Sequence, residues 1–383
     1  MELASKTSLP SEDLEHFLAH TRDLWEDLRG KRIFVTGATG FFGMWLLETF
    51  CYANDQLNLG AELVGLSRNP EAFAEKAPHL VKHPAITMHR GDVRDFDFPY
   101  PFSSPEKTGV PPFAESLDSS KGKLLKKKQA AQVNGGGFPK GKFSHVIHAG
   151  TTSSAPVPDL EMLDTIIGGT RRTLDFSLAC GAERFLFVSS GAVYGKLPSD
   201  VAHVSENYLG APDVMNSVSA YGEGKRAAEL LCAIAHQEHG MKTTIARCFA
   251  FVGPHLPLDA HFAIGNFVRD GLAGKTILLK SSGASRRSYL YAADLAVWLW
   301  TILFKGEVCF PYNVGSNEGV TVKELAEKVA SILGQSVSIE KDASQQQTNY
   351  VPDTSRAEKE LHLKNNFTLE VSIDNYVSWT NNK

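Results

Sequence analysis

The sequence predicts an α/β protein, a doubly wound parallel sheet with a smaller C-terminal lobe, and three observations carry that prediction. Short apolar runs bounded by turn residues alternate with longer helical patterns. Residues 32–36 (RIFVT), 62–66 (ELVGL), 86–89, 143–148 (FSHVIH) and 184–189 (RFLFVS) read as strands, with helices over 41–53 and 160–179. A glycine-rich loop, Gly37 to Gly43, joins the first strand to the helix after it. The chain has 383 residues, 43% of them hydrophobic and 21% charged, which is enough apolar material for a large core.

Taken in order, residues 11–28 place Leu14, Phe17, Leu18, Leu24, Trp25 and Leu28 at helical spacing, with Ser11 as N-cap and Gly30 as stop. A leading helix over 1–29 therefore docks on the rest of the chain. The strand and helix alternation from 30 to 250 forms the sheet. Residues 251–383, with 195–215, form the lobe, and a ligand is expected in the cleft between the two. Residues 97–142 break the rhythm with prolines, the run Gly135 to Gly137 and seven lysines from Lys121 to Lys142 with no acid among them. They read as a mobile insertion.

Thirty-nine basic and 43 acidic side chains leave a net charge of -4, so no whole-molecule field favours nucleic acid or an anionic membrane. The lysines of the insertion lack interleaved aromatic residues and read as a solvated loop, not a nucleic-acid patch. Cys51, Cys180, Cys232, Cys248 and Cys309 are odd in number and widely spread, without a CxxC, which suggests neither a disulfide framework nor a metal site. The first thirty residues have no basic start followed by an apolar core, and no apolar run approaches the ~18 residues of a membrane span. A cytoplasmic location is the expectation.

The loop Thr36-Gly37-Ala38-Thr39-Gly40-Phe41-Phe42-Gly43 stands where a Rossmann dinucleotide site needs it. Gly37 allows the tight turn, Gly40 the approach of backbone amides to a pyrophosphate, and Gly43 close helix-to-strand packing. Thr39, Phe41 and Phe42 complete the candidate cofactor set of the loop. After the second strand the chain reads Leu66-Ser67-Arg68-Asn69-Pro70, without the carboxylate that commonly meets the adenosine ribose of NAD. Arg68 facing a 2′-phosphate, with Ser67 hydrogen-bonding it, favours NADP(H) over NAD(H), although a solvated Arg68 is compatible with either.

Tyr221 and Lys225 lie four apart on a helical pattern and share one face. An ammonium beside a phenol favours phenolate and brings its pKa down from about 10, so that Tyr221 can move a proton to or from a substrate hydroxyl. The preceding strand ends at Ser189-Ser190-Gly191, and a hydroxyl there sits at the carboxyl end of a parallel strand, where ligands of such sheets bind.

These segments, together with GDVRD at 91–95, HVIHAG at 145–150, FLFVSSGAVYG at 185–195, YGEGK at 221–225, RCFAFVGP at 247–254 and RRSYLYAADLA at 286–296, resemble the extended short-chain dehydrogenase/reductase family over about residues 30 to 380. That family comprises nucleotide-sugar epimerases, dehydratases and reductases. The resemblance implies Ser190, Tyr221 and Lys225 as a catalytic trio, and Asp92 and Val93 at the adenine. It also implies Ala149 and Gly150 along the pyrophosphate and ribose, Cys248 beside the cofactor, Arg287 at a substrate diphosphate, and His261 and Phe262 at the sugar nucleotide. A homodimer through the helices near 160–180 and 219–239 is also implied, although those apolar stripes equally suit an internal core. Related 4,6-dehydratases carry Asp-Glu directly after the catalytic hydroxyl residue, where this chain has Gly191 and Ala192; Glu223 is the substitute acid within reach of the same helix. Ile166 and Ala250 replace two asparagines of the family.

The reading is an epimerase-type oxidoreductase of a nucleotide sugar. An NADPH-dependent reductase of a 4-keto sugar nucleotide and a 4,6-dehydratase with an atypical acid/base remain alternatives, as does a non-enzymatic cofactor sensor.

Overall fold

The structure is a computed structural model that describes residues 8–99, 101–102, 142–151, 157–260, 262–344 and 347–382. Most of the expected insertion (103–141) and His261 lie outside the described residues. The elements in chain order begin with α1 (Ser11–Thr21), which continues as a 3₁₀ helix over Arg22–Leu28. Pro10, not Ser11, occupies the N-cap, and no side chain caps this helix. β1 (Arg32–Thr36), α2 (Phe41–Leu57), β2 (Glu62–Ser67), α3 (Pro70–Lys76), α4 (Pro78–Val81), β3 (Ile86–Arg90) and β4 (His145–His148) come after it. Next are α5 (Asp159–Cys180), β5 (Arg184–Ser190), α6 (Ala220–His239), β6 (Thr243–Cys248), β7 (Phe251–Val252), α7 (Ala263–Leu272), β8 (Ile277–Ser281), β9 (Arg286–Arg287) and β10 (Leu290–Tyr291). The chain closes with α8 (Ala292–Lys305), β11 (Pro311–Val314), β12 (Val320–Thr321), α9 (Val322–Leu333), β13 (Val337–Ser344), β14 (Asn349–Tyr350), α10 (Ser355–Leu361) and α11 (Leu369–Asn381).

Seven strands form one sheet in the order β11-β6-β5-β4-β1-β2-β3, and every pairing is parallel. The order reverses between β1 and β4, which is the switch point of a doubly wound sheet. Side chains alternate across it as the pleat requires. Ile33, Val35, Ile147, Leu186 and Val188 pack beneath α2 and α8, whereas Phe34, Val146, Phe185 and Phe187 pack against α5 and α6. Burial on both faces is why these strands are continuous apolar runs instead of alternating ones.

The sheet does not stop near residue 250, where the sequence placed the end of the core. Its seventh strand is β11, paired to β6 from Pro311↔Ile245 to Val314↔Cys248. α8 is buried all round, with every residue from Ala292 to Phe304 buried and nearly all of them apolar, because it lies between the sheet and α1. The lobe proper holds the pair β8 and β13 with α7 and α9, and the small sheet β12-β9-β14. The N-terminal segment joins this C-terminal half. Trp25 meets Trp300 at 4.7 Å, Tyr291 donates to Asp13 at 2.7 Å, and Trp379 donates to the Ser8 carbonyl at 3.0 Å. No described helix is long and apolar enough to cross a membrane.

Candidate active site

The glycine turn is built against the end of β4. Gly37 has φ +71, and a Cβ on it would lie 2.5 Å from the Ala149 carbonyl oxygen and 2.8 Å from the Gly150 nitrogen, so only glycine fits in conformation and in space. A Cβ at Gly43 would come within 2.3 Å of the Ala38 carbonyl, which is the close helix packing expected of the third glycine. Gly40 is the N-cap of α2, and no side chain caps its amides. Those amides and the Gly37 turn form a cradle that suits a pyrophosphate, so the chain fits a dinucleotide there.

Beneath the turn, Thr36 accepts the Gly150 amide at 3.0 Å and hydrogen-bonds His148 at 2.7 Å, while His148 reaches Thr170 at 3.0 Å on α5. Burial, reinforced by the charge of Lys225, pulls the His148 pKa down to about 3 and keeps this ring neutral. Val93 packs on the backbone at Gly150 and Gly169. Phe41 and Phe42 lean on Phe251, at 6.4 and 5.5 Å between ring centres. Lys76, which the sequence did not single out, donates to the carbonyl of Thr39 at 3.1 Å and adds an exposed cation at the loop.

At the end of β2 the Ser67 hydroxyl is buried and accepts the Asn69 amide at 3.1 Å, and Arg68 is exposed. Asp92 is engaged by Arg94, whose Nε donates to it at 2.8 Å; that hydrogen bond is the main reason its carboxyl sits below the usual range. Arg68 lies within electrostatic reach of the same carboxylate.

Ser190 ends β5 opposite Cys248 of β6, and its hydroxyl accepts the Ala192 amide at 3.1 Å, capping the turn over Gly191–Tyr194. Tyr221 and Lys225 on α6 face the same place. The Ser190 hydroxyl stands close enough to the Tyr221 phenol to favour its ionised form. Lys225 is 2% exposed, donates to the Val188 carbonyl at 2.8 Å, and holds its ammonium 4.8 Å from the Phe187 ring and 5.9 Å from the Tyr221 ring. Burial brings the Lys225 pKa down to about 8. The lowering of the Tyr221 pKa expected from the lysine is not found. Burial pushes the phenol upward against the influence of the Ser190 hydroxyl, because the ammonium is directed at the Val188 carbonyl and not at the phenol oxygen. The Cys248 thiol beside them is likewise pushed up by burial.

Arg287 on β9 is half-buried, and its guanidinium donates to the Thr348 hydroxyl at 2.9 Å and to the Arg286 carbonyl at 2.7 Å. β14 runs parallel to β9 with Tyr350 opposite Arg287, which sets the Arg287 guanidinium 5.6 Å from the Tyr350 ring. The Tyr350 hydroxyl lies 3.5 Å from Ser190 Oγ and 3.5 Å from the Cys248 carbonyl oxygen. Tyr350 thus spans the gap between Arg287 and the Ser190-Tyr221 pair. It is 160 residues from Ser190 in sequence, and no spacing rule points to it. Phe262 stands at the start of α7, packed against the core.

The departures from the family pattern have physical readings. Ile166 fills the space over Gly224, between Tyr221 and Lys225, where a Cβ would meet it at 3.1 Å; it packs α5 on α6. Glu223, two residues past Tyr221 and so about 200° around the helix, faces Arg226 at 3.7 Å instead of Ser190, and its Oε1 is buried without a hydrogen-bond partner among the described residues. Below the site Ser189 donates to Glu229 at 2.6 Å, Glu229 pairs with Arg247 at 2.7 Å, and Arg247 donates to Tyr194 at 3.0 Å. That buried network fixes β5, β6 and α6 relative to each other.

Residues 135–315 match the model of the NAD dependent epimerase/dehydratase family. UDP-glucuronic acid decarboxylase 6 of Arabidopsis thaliana is 30% identical over 205 residues, 53% of this chain and 58% of the relative, so the chain spans under two thirds of that protein. UDP-glucuronic acid decarboxylase 1 of the same plant is 25% identical over 350 residues, 91% of this chain and 69% of the relative. The dTDP-glucose 4,6-dehydratase of Bacillus anthracis, solved in complex with NAD, has the same fold at TM-score 0.68, with 18% identity over 92% of this chain and 96% of that one.

Proposed function

We propose that the chain is an NAD(P)-dependent enzyme of the epimerase/dehydratase type, which its match over 135–315 and its decarboxylase relatives support, and that it moves hydride at a carbon of a nucleotide-linked sugar with Tyr221 as general acid/base. The observation that carries this reading is the meeting of Ser190, Tyr221 and Lys225 at the carboxyl edge of the sheet, beside the Gly37 to Gly43 turn. A nicotinamide dinucleotide bound in the cradle supplies the hydride acceptor and donor. The chain does the rest. Ser190 and Tyr221 hold the reacting oxygen. Tyr221 takes the hydroxyl proton when the carbon is oxidised and returns one when a keto oxygen is reduced. Lys225 ties the tyrosine helix to the end of β5 through the Val188 carbonyl and so positions Tyr221. Arg287 answers the substrate diphosphate, to which a guanidinium is matched.

Gly191 and Ala192 place no acid beside Ser190, which disfavours an elimination needing one there. The decarboxylase relatives suggest a second reading that fits this absence. Oxidation at C4 of a nucleotide-linked uronic acid leaves a β-keto acid, whose carboxylate departs as CO2 with the electron pair going into the neighbouring carbonyl. No residue at 191 or 192 is needed for that bond to break.

Two finer expectations belong to the same proposal. NADP(H) is favoured over NAD(H) by the exposed Arg68 and the lack of a carboxylate at the end of β2, whereas the solved Bacillus anthracis dehydratase holds NAD. NAD binding as tightly as NADP, with R68A changing neither, overturns that preference. A homodimer through α5 and α6 is supported by Leu160 and Leu230, exposed at 70% and 60% on those helices; sedimentation at monomer mass overturns it.

The experiment is a panel of UDP-, dTDP-, GDP- and CDP-sugars, UDP-glucuronic acid among them. It is assayed with NAD and NADP by thermal shift and then by product NMR. Turnover of a nucleotide sugar, lost in Y221F with cofactor binding retained, is the expected result. Turnover only of other carbonyl compounds, or a fully active Y221F, overturns the reading.

A further inference from the structure

Resting on that reading, we propose that Tyr350 is a third hydroxyl at the reacting oxygen, donating a hydrogen bond to the substrate oxygen that Ser190 and Tyr221 hold, in space left open by Gly191. The geometry has three parts. First, the Tyr350 hydroxyl reaches its two partners only at 3.5 Å, to Ser190 Oγ and to the Cys248 carbonyl, the outer limit of a hydrogen bond. Such a hydroxyl gains by closing on a nearer oxygen, because a poorly paired buried polar group carries a desolvation penalty. Second, the hydroxyl is aimed at the site by fixed neighbours. Its ring packs on Phe249 at 4.6 Å between ring centres, faces the guanidinium of Arg287, and is held by the register of β14 on β9. A substrate with its diphosphate at Arg287 and its reacting carbon at Ser190 lies along this ring.

Third, the position is reserved. A Cβ at Gly191 would lie 2.8 Å from the Tyr350 hydroxyl and 2.8 Å from the Phe249 ring. A side chain at 191 and a phenol from β14 compete for the same volume. The glycine that removes the elimination acid is the one that admits Tyr350. The two replace each other in function as well as in space: burial pushes the Tyr350 phenol far above its ordinary pKa, so it is a donor at every working pH and not a base. Burial pushes the Tyr221 phenol upward as well, so Tyr350 is set apart by its place against Gly191 and Ser190, on the β14 side of the site. That arrangement suits stabilising oxygen charge during hydride transfer and gives nothing that would pull a proton from a neighbouring carbon.

The test uses the full-length protein with UDP-glucose, UDP-glucuronic acid and dTDP-glucose as substrates and NAD or NADP as cofactor, comparing wild type, Y350F, G191A and the double variant. Y350F keeps the ring and its contacts, so its melting temperature and cofactor affinity should match wild type. Its kcat should fall roughly tenfold to a hundredfold, the worth of one hydrogen bond to an oxygen that gains charge. KM should change little, and the pH profile should keep its shape. At Gly191 the displaced atoms are side-chain ends, not backbone, so G191A should fold, lose a similar factor, and add nothing to Y350F in the double variant. A wild-type kcat in Y350F overturns the assignment, as does a full product of losses in the double variant, while leaving the wild-type reaction in place. A wild type that neither binds nor turns over any nucleotide sugar instead overturns the proposed function, and this inference with it.

Discussion

Lys225 shows how a residue legible in sequence acquires its properties only from its surroundings. Its place four residues after Tyr221 predicts a lowered phenol, yet the ammonium is buried, brought down to about 8, and directed at the Val188 carbonyl. The stability consequence has a definite sign. The folded pKa is about 8 and the ordinary value 10.5, so between them the unfolded chain binds more protons and stability rises with pH. Replacing the lysine by methionine removes that dependence. The melting temperature of K225M relative to wild type should therefore climb as the pH falls from 10.5 to about 8 and level off below, as read by thermal melts of the cofactor-free proteins. A constant difference across that window shows that Lys225 is not strained by burial. Tyr221, Lys225 and Ser190 are legible because helical spacing and strand-end position are local properties. Tyr350 and Lys76 are not, because their partners, Ser190 and Thr39, lie far along the chain and only strand pairing and helix docking bring them close.

Among elements, the β1 turn and the end of β4 act as one unit. The fit of Gly37 against Ala149 and Gly150 predicts that G37A loses dinucleotide binding outright, seen as a melting temperature that no longer rises with cofactor. It should cost about 1–3 kcal/mol in the absence of ligand, from the left-handed backbone and the displaced strand end. His148 ties this unit to α5. Its folded pKa of about 3 against an ordinary 6.5 means the unfolded chain takes up the proton first, so stability present above 6.5 is lost as the pH falls toward 3. His145, also held at about 3 by burial, adds to the same loss. H148A should flatten the acid limb of the stability curve and cost about 2–3 kcal/mol at pH 8 by leaving Thr36 and Thr170 without their shared partner. Most elements are readable from apolar runs, with ends off by a few residues. The start of α9 also carries a local signal, the capping box of Thr321 and Glu324, which marks a helix N-terminus within four residues of sequence.

At the scale of the molecule, the N-terminal helix packs into the C-terminal half of the chain. α1 and the 3₁₀ turn after it pack on α8 through Trp25, Trp300 and Phe304, while Asp13 receives the Tyr291 hydroxyl and His16 meets Asp294 at 2.9 Å. α8 in turn lies on β5 and β6, the strands that carry Ser190 and Cys248. Truncating Trp25 should therefore act on the whole fold: W25A should lower stability by about 3–5 kcal/mol in chemical denaturation, in one cooperative transition. A separate early transition for the N-terminal segment contradicts that coupling.

The sequence by itself determined the sheet and its glycine turn, because a strand buried on both faces must be an apolar run and a positive-φ contact with backbone admits only glycine. It also determined the tyrosine, lysine and serine that face one another, through spacing on one helix and one strand end. The tertiary structure decided where the sheet ends, with β11 arriving from residues 311–314, and what stands beside Ser190. Both depend on strands far apart in the chain finding their register. A side chain's volume, such as that left open at Gly191, has meaning only once the residue that fills it has been brought there.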